Sequence, residues 1–124
     1  MRRILFVCML MLVAVGTQAQ AYQSPVAFIP EQAMVGKKLT VTYNTELTEL
    51  KGARAVDMVA YFWHDYRWTA IDAPMIKSVN LWMSVIDIPT DAALLTLKFV
   101  ADDKVDIGGR NTYSQFTVDS LGRN

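Results

Sequence analysis

Hydrophobic and polar residues alternate along much of the chain after residue 37. In segment 38–43, the apolar residues Leu39, Val41 and Tyr43 fall on one face of an extended chain, whereas a lysine and two threonines fall on the other. A period of two is typical of a β-strand that buries one face. The same reasoning predicts strands at 55–63, 81–88, 94–100 and 112–118 and a shorter strand at 68–71, with Phe116 and Val118 pointing inward.

Clusters of turn-forming residues separate the predicted strands. Such stretches lie at 44–53, 64–67, 72–74, 89–91 and 101–111. We interpret 22–30 as a leading segment and 31–36 as a turn or a short edge, whereas the pattern of 75–80 is ambiguous. Because no segment after the N-terminal apolar run shows a convincing helical period, six or seven short strands indicate an all-β sandwich, formed by one domain at 22–124.

The first 21 residues differ from the rest and resemble a secretory signal peptide. Arg2 and Arg3 give this segment a positive charge, and an unbroken run of 12 apolar residues follows at 4–15. A cleavage site with small residues follows, either at Thr17 to Ala19 or at Ala19 to Ala21. Since a membrane span needs about 20 apolar residues, we expect a cleaved signal rather than a membrane anchor. The remaining chain would be exported, to the periplasm or to the extracellular space.

Charge and cysteine content exclude several classes of function. Without the predicted signal, the chain carries ten basic and twelve acidic residues, which is a net charge of −2. Neither nucleic acid nor an anionic membrane surface is therefore expected as a partner. Cys8, inside the predicted signal, is the only cysteine. The exported domain would thus contain no disulfide and no cysteine-ligated metal, and we expect it to need no cofactor.

Few residues of this chain are suited to catalysis. His64 is the only histidine, and no Gly-x-Ser-x-Gly motif accompanies it, which argues against a hydrolase triad and a zinc site. Asp65 and Asp72 flank an aromatic cluster and could act as paired glycosidase carboxylates, although such aspartates are more often solvated turn formers. The acidic loop 102–106 could bind calcium, or its aspartates could simply stabilise a hairpin turn. We expect neither an enzyme nor a metal site.

Aromatic side chains are concentrated in one part of the chain. Tyr61, Phe62, Trp63, Tyr66 and Trp68 fall within eight residues. On a strand, Phe62 would point to the core, and Tyr61 and Trp63 would point to the opposite side. Exposed rings suit sugars, whose apolar faces stack on indoles while neighbours such as His64 and Asp65 bind their hydroxyls. The alternative is that the rings belong to the core. For Trp82, the alternation that it shares with Ile86 and Ile88 favours burial.

Several short motifs occur in a characteristic order. They are Leu39-Thr-Val-Thr-Tyr43-Asn44, Leu50-Lys-Gly52-Ala53, the aromatic stretch ending at Trp68, Met75, Trp82-x-Ser84-x-Ile86-x-Ile88-Pro89, Leu97-x-Phe99, and the segment from Asp106 to Tyr113. This order, over about residues 38–118, resembles the starch-binding modules of carbohydrate-binding families 25 and 53. The resemblance implies an immunoglobulin-like β-sandwich of about seven strands that binds α-glucan without catalysis.

The resemblance also implies which residues bind the glycan. Trp68 matches the tryptophan of the family's aromatic loop, and Trp82 matches the tryptophan on one of its strands. The family binds sugar hydroxyls with a histidine or with polar neighbours in this loop, and His64 lies close to that position. Together with the aromatic cluster, this gives the candidate carbohydrate-binding residues Tyr61, Trp63, His64, Asp65, Trp68 and Trp82.

A second resemblance leads to a different partner. The same strand order is similar to the N-terminal sandwich domains that precede thioredoxin-like domains in exported proteins of Gram-negative bacteria. It implies a structural or interaction domain of an envelope protein, with an aromatic face that docks another domain. The sequence therefore predicts non-catalytic binding, either to a polysaccharide or to another envelope protein domain.

Overall fold

The computed structural model describes residues 23–110 and 112–123. The predicted signal peptide lies outside these residues. Within them lie nine strands and one short 3-10 helix, Thr45–Leu47, between β2 and β3. The strands are β1 (Val26–Ile29), β2 (Lys38–Tyr43), β3 (Asp57–His64), β4 (Arg67–Pro74), β5 (Ile76–Ser78), β6 (Leu81–Asp87), β7 (Leu94–Ala101), β8 (Lys104–Asp106) and β9 (Tyr113–Phe116). In this part of the chain, no helix is long and apolar enough to cross a membrane.

The strands form two antiparallel sheets, which confirms the predicted all-β sandwich. The first sheet has the order β1-β2-β6-β5. The second has the order β4-β3-β7, and the free side of β7 pairs with β9 along its first half and with β8 along its second half. The order of the first sheet is compatible with the A-B-E-D sheet of immunoglobulin domains. The immunoglobulin-like assignment itself stays a prediction.

The core lies between the two sheets and follows the alternation of the sequence. The first sheet buries Leu39, Val41, Tyr43, Trp82 and Ile86, and the second buries Met58, Ala60, Phe62, Leu95, Leu97 and Phe99. Tyr43 and Phe99 stack across the interface with ring centroids 3.8 Å apart, and Tyr113 meets both rings edge-on. Burial of these large rings supplies much of the hydrophobic stabilisation.

Several sequence-based boundaries need correction. The hairpin turn between β3 and β4 has two residues instead of the predicted four, so β3 continues to His64 and β4 extends over Arg67–Pro74. Strands β1, β5 and β8 were not predicted as strands, because three or four residues at a sheet edge carry too short a pattern to show a period. Nine strands are therefore present in the described residues, where about seven were expected.

The predicted inward orientation of Phe116 is wrong. Phe116 pairs with Leu94, whereas the inward residue of β7 is its neighbour Leu95, which pairs with Gln115. Residues directly opposite each other in an antiparallel pair share a face, so Phe116 lies outside the sandwich and its exposed fraction is 66%. The inward orientation of Val118 is confirmed.

Asp106 joins both sheets at one end of the sandwich. Its Oδ2 accepts hydrogen bonds from Tyr43 Oη at 2.6 Å and Tyr113 Oη at 2.8 Å, and its Oδ1 accepts one from the Gly108 amide at 2.9 Å. Burial, followed by the hydrogen bond to Asp106, raises the pKa of Tyr43 above its ordinary value. The hydroxyl of Tyr43 therefore stays protonated and acts as a donor.

The acidic loop that suggested calcium contains this carboxylate. Asp106 is engaged by three donors of the chain itself. Among residues 23–110 and 112–123, no three His, Cys, Asp or Glu side chains are grouped so that they could hold a metal ion. The described geometry thus gives Asp106 a structural role.

Candidate functional site

A row of apolar side chains crosses the outer face of the second sheet. Trp68 on β4 pairs with Trp63 on β3, Trp63 pairs with Leu94 on β7, and Leu94 pairs with Phe116 on β9. These four residues, here called the aromatic row, point to the same side because directly opposed residues share a face. The exposed fraction of Trp68 is 49% and that of Phe116 is 66%, whereas Trp63 and Leu94 are half-buried.

Two further rows continue this surface along β3. Tyr61 lies between Ala70 and Thr96, and Val59 lies between Asp72 and Lys98. Because Phe62 and its inward neighbours are also apolar, β3 is hydrophobic on both faces, which is typical of a strand covered on both sides. In the described part of the chain, only one of these faces is covered.

The β3–β4 hairpin brings the two tryptophans together. Asp65 and Tyr66 form its two-residue turn with positive φ values of 50° and 59°, the conformation of a type I′ turn. His64 and Arg67 close this turn, so the next pair, Trp63 and Trp68, occupies the position where opposed side chains approach most closely. Their ring centroids are 5.3 Å apart and their planes are tilted by 58°.

His64 does not join the tryptophans. It follows Trp63 on the strand and therefore points to the other face, where its Nδ1 lies 2.8 Å from Asp91 Oδ2 and its Nε2 lies 2.9 Å from Thr69 Oγ1. The hydrogen bond from His64 lowers the pKa of the exposed Asp91 carboxyl. Both ring nitrogens thus have partners within the chain, and His64 anchors the hairpin to the β6–β7 connection.

The other predicted residues occupy three different environments. Tyr61 shares the outer face with Trp63 and Trp68, whereas Asp65 is exposed at the tip of the hairpin. Trp82 is buried on the inner face of the first sheet, as the alternation predicted, with Lys77 Nζ 6.0 Å from its ring centroid. The structure therefore brings Tyr61, Trp63 and Trp68 together and leaves His64 and Trp82 on inner faces.

The carboxylate pair considered for a glycosidase is not assembled. Asp65 lies at the hairpin tip and Asp72 lies seven residues further along β4. At about 3.3 Å per residue the two are roughly 20 Å apart. Glycosidase carboxylates are separated by about 5 to 9.5 Å, so these two aspartates cannot act on one bond.

The sequence reasoning did not include Leu94 and Phe116 in the site. The sequence pattern places Leu94 on a strand without indicating a role, and it predicts that Phe116 points to the core. Neither lies near the aromatic cluster in sequence, so only the register of β9 on β7 could reveal that both extend the row. A shallow, largely apolar cleft of about 370 Å³ adjoins Phe116, and Val35, Ala93 and Val118 contribute to its lining.

Tyr66 is the second turn residue and offers a test of the hairpin geometry. A bulky residue at positive φ is strained by about 1 kcal/mol or more, and glycine removes that strain. We expect Tyr66→Gly to raise the free energy of unfolding by about 0.5–1 kcal/mol, measured by urea denaturation. Tyr61→Gly, at an ordinary strand position, should destabilise the protein instead. Destabilisation by Tyr66→Gly would show that the tyrosine side chain makes stabilising contacts at the turn.

Comparisons of this chain with protein families, with curated proteins and with solved structures found no match.

Proposed function

We propose that this chain is a non-catalytic binding module of an exported protein, and that the outer face of its second sheet docks a protein domain. The aromatic row carries this proposal. It is continuous across four strands and exposes Trp68 and Phe116 beside a central strand that is apolar on both sides. Exposed apolar patches of this kind are typical of interaction sites, and aromatic residues are enriched at protein interfaces.

Three features favour a protein over a glycan as the partner. Leu94 and Phe116 extend the row with side chains that have no polar tip to bind a sugar hydroxyl. The indole planes of Trp63 and Trp68 are tilted by 58° and do not form one flat platform. His64 faces the other side of the sheet, with both ring nitrogens engaged. A surface with this composition is suited to packing against apolar side chains.

Tyr66 supports a binding role for the same end of the sheet. Its exposed fraction is 93%, so the ring contributes little to the core. Its φ of 59° also costs free energy that a glycine would avoid. Strained residues are often found at functional sites. A large aromatic residue at this position is consistent with contact to a partner.

The second candidate function is binding of α-glucan. It is favoured by the presence of Tyr61, Trp63 and Trp68 on one sheet face, with the hydroxyls of Thr96 and Ser114 in the adjoining row. It also agrees with the starch-binding modules that the sequence resembles. In this function the rings would stack on glucose units, and the hydroxyls of the sheet would bind the sugar hydroxyls.

Site-specific photo-crosslinking tests the docking function. A photoreactive phenylalanine analogue replaces Phe116 or Trp68 in the cell that makes the protein, and a matched probe replaces Ile76, which is 75% exposed on the outer face of the first sheet. We expect discrete protein adducts from Phe116 and Trp68 and none from Ile76. No adduct, or equal adducts from all three positions, would contradict the docking function.

Electrophoresis in native gels containing soluble starch tests the glycan alternative. Retardation that disappears in Trp68→Ala would establish α-glucan binding on this face. Unchanged migration, together with unchanged tryptophan fluorescence on addition of maltooligosaccharides, would exclude it. Both experiments change Trp68, so their results at this residue can be compared directly.

A further inference from the structure

Two opposite charges flank the central strand of the outer face symmetrically. Asp72 on β4 and Lys98 on β7 are both register partners of Val59 on β3. They are therefore two strands apart, with about 10 Å between their backbones and Val59 between them. Among the described residues, neither forms a salt bridge, and the ammonium of Lys98 lies 5.6 Å from the centre of the Tyr61 ring on the same face.

We propose that the domain docked by this face is a second copy of the chain. The two copies are related by a two-fold axis that lies in the interface, midway between the two sheets and parallel to β3. This inference rests on the proposed docking function and names its partner. Rotation about such an axis places β3 over β3 of the second copy and β4 over its β7. Two sheets packed in this way lie about 10 Å apart with their strands nearly aligned.

This arrangement satisfies the two charges reciprocally. Asp72 of each copy faces Lys98 of the other, which gives two equivalent ion pairs in an isologous interface. Trp63 faces Trp63, and Trp68 faces Leu94, so apolar groups meet apolar groups. Phe116 extends past β4 of the second copy and covers its free edge, a strand edge that would otherwise present unpaired backbone groups.

The first sheet lacks this combination of features. Its outer face also exposes apolar residues, among them Ile29, Ile76 and Val85. However, its charged pair, Lys38 and Asp87, lies on directly opposed residues of β2 and β6 and is satisfied within the chain at 2.9 Å. Complementary charges on either side of the axis are therefore a property of the second sheet, whereas Asp57, the exposed first residue of β3, lies on the axis and faces Asp57 of the second copy.

The size of the face sets the expected affinity. Eight residues of β3 and four strands give a surface of roughly 25 Å by 19 Å. This is smaller than the standard interface, which buries about 800 Å² of each partner. We expect a weak dimer with a dissociation constant on the order of 10–100 µM.

Charge reversal combined with mixing tests the dimer. Sedimentation equilibrium of the full chain from roughly 5 to 500 µM brackets the expected dissociation constant. Lys98→Asp and Asp72→Lys should each weaken self-association at least about tenfold, because each homodimer then opposes like charges twice. An equimolar mixture of the two variants should associate within about threefold of the unmodified chain, because both pairs in the mixed dimer again carry opposite charges.

Lys38→Asp is the matched control, since it makes the same charge change on the other sheet. It should leave the dissociation constant unchanged, and circular dichroism should show that all variants are folded. Three outcomes would overturn the proposal. The chain could be a monomer at every concentration, Lys38→Asp could weaken self-association as much as Lys98→Asp does, or the mixture of Lys98→Asp and Asp72→Lys could fail to associate. Photo-crosslinked adducts of other masses would preserve the docking function and reject the dimer, whereas absence of all adducts would reject docking itself.

Discussion

Replacing Phe62 by alanine is expected to lower the free energy of unfolding by about 3–5 kcal/mol. The ring is 1% exposed and lies between Thr69 of β4 and Leu95 of β7 in register on the inner face of the second sheet. Its removal leaves a cavity in the tightly packed centre of the sandwich, where neighbours relax only partially. For a domain of about 100 residues, the melting temperature should fall by more than about 10 °C. Calorimetry measures this fall, and urea denaturation measures the loss of free energy of unfolding.

Trp68→Ala is the matched variant on the outer face of the same hairpin. About half of its side chain is already exposed, so the free energy of unfolding should change by about 1 kcal/mol or less, part of which reflects the lost contact with Trp63. The affinity of the outer face for its partner should fall by a larger free energy than the stability does. If Trp68→Ala unfolds the protein as readily as Phe62→Ala does, the outer ring has a structural role and the binding surface loses its main support.

Replacing Asp106 by alanine is expected to destabilise the protein by about 3–4 kcal/mol. The change removes the charged acceptor of hydrogen bonds from two tyrosine hydroxyls and one backbone amide. Hydrogen bonds to charged groups contribute about 1.5–3 kcal/mol each, and water and Thr48, which also accepts from Tyr43, replace part of this loss. Because Tyr43 belongs to β2 and Tyr113 to β9, the cluster links the two sheets. Its loss should therefore lower the stability of the whole domain.

Asp103→Ala provides the control for this experiment. Asp103 is an exposed aspartate in the same acidic loop, and its replacement should change the free energy of unfolding by no more than about 0.5 kcal/mol. Tyr43→Phe removes one of the three hydrogen bonds to Asp106, together with the hydrogen bond from Tyr43 to Thr48, and should give an intermediate loss of stability. Equal effects of Asp106→Ala and Asp103→Ala would show that the hydrogen-bonded cluster does not stabilise the junction between the sheets.

About half of the candidate site could be predicted from the sequence. The alternation separated Phe62 from Tyr61 and Trp63, and it predicted the burial of Trp82, because side chains on a strand point to opposite faces in turn. The alternation did not assign a face to His64, because the predicted strand ends at Trp63 and the predicted turn begins at His64; β3 includes His64, which therefore points away from Trp63. Asp91, the partner of His64, is 27 residues away and could not be identified from the pattern.

The sequence by itself determined the class of fold and which side chains alternate, since the period of two is a local property of an extended backbone. The tertiary structure decided which strands lie side by side. It aligned Trp68, Trp63, Leu94 and Phe116 in one row, and it placed Asp72 and Lys98 on either side of Val59. Strand register depends on turn geometry and on contacts between distant segments. For that reason the outer surface on which the proposed function rests appears only in the folded chain.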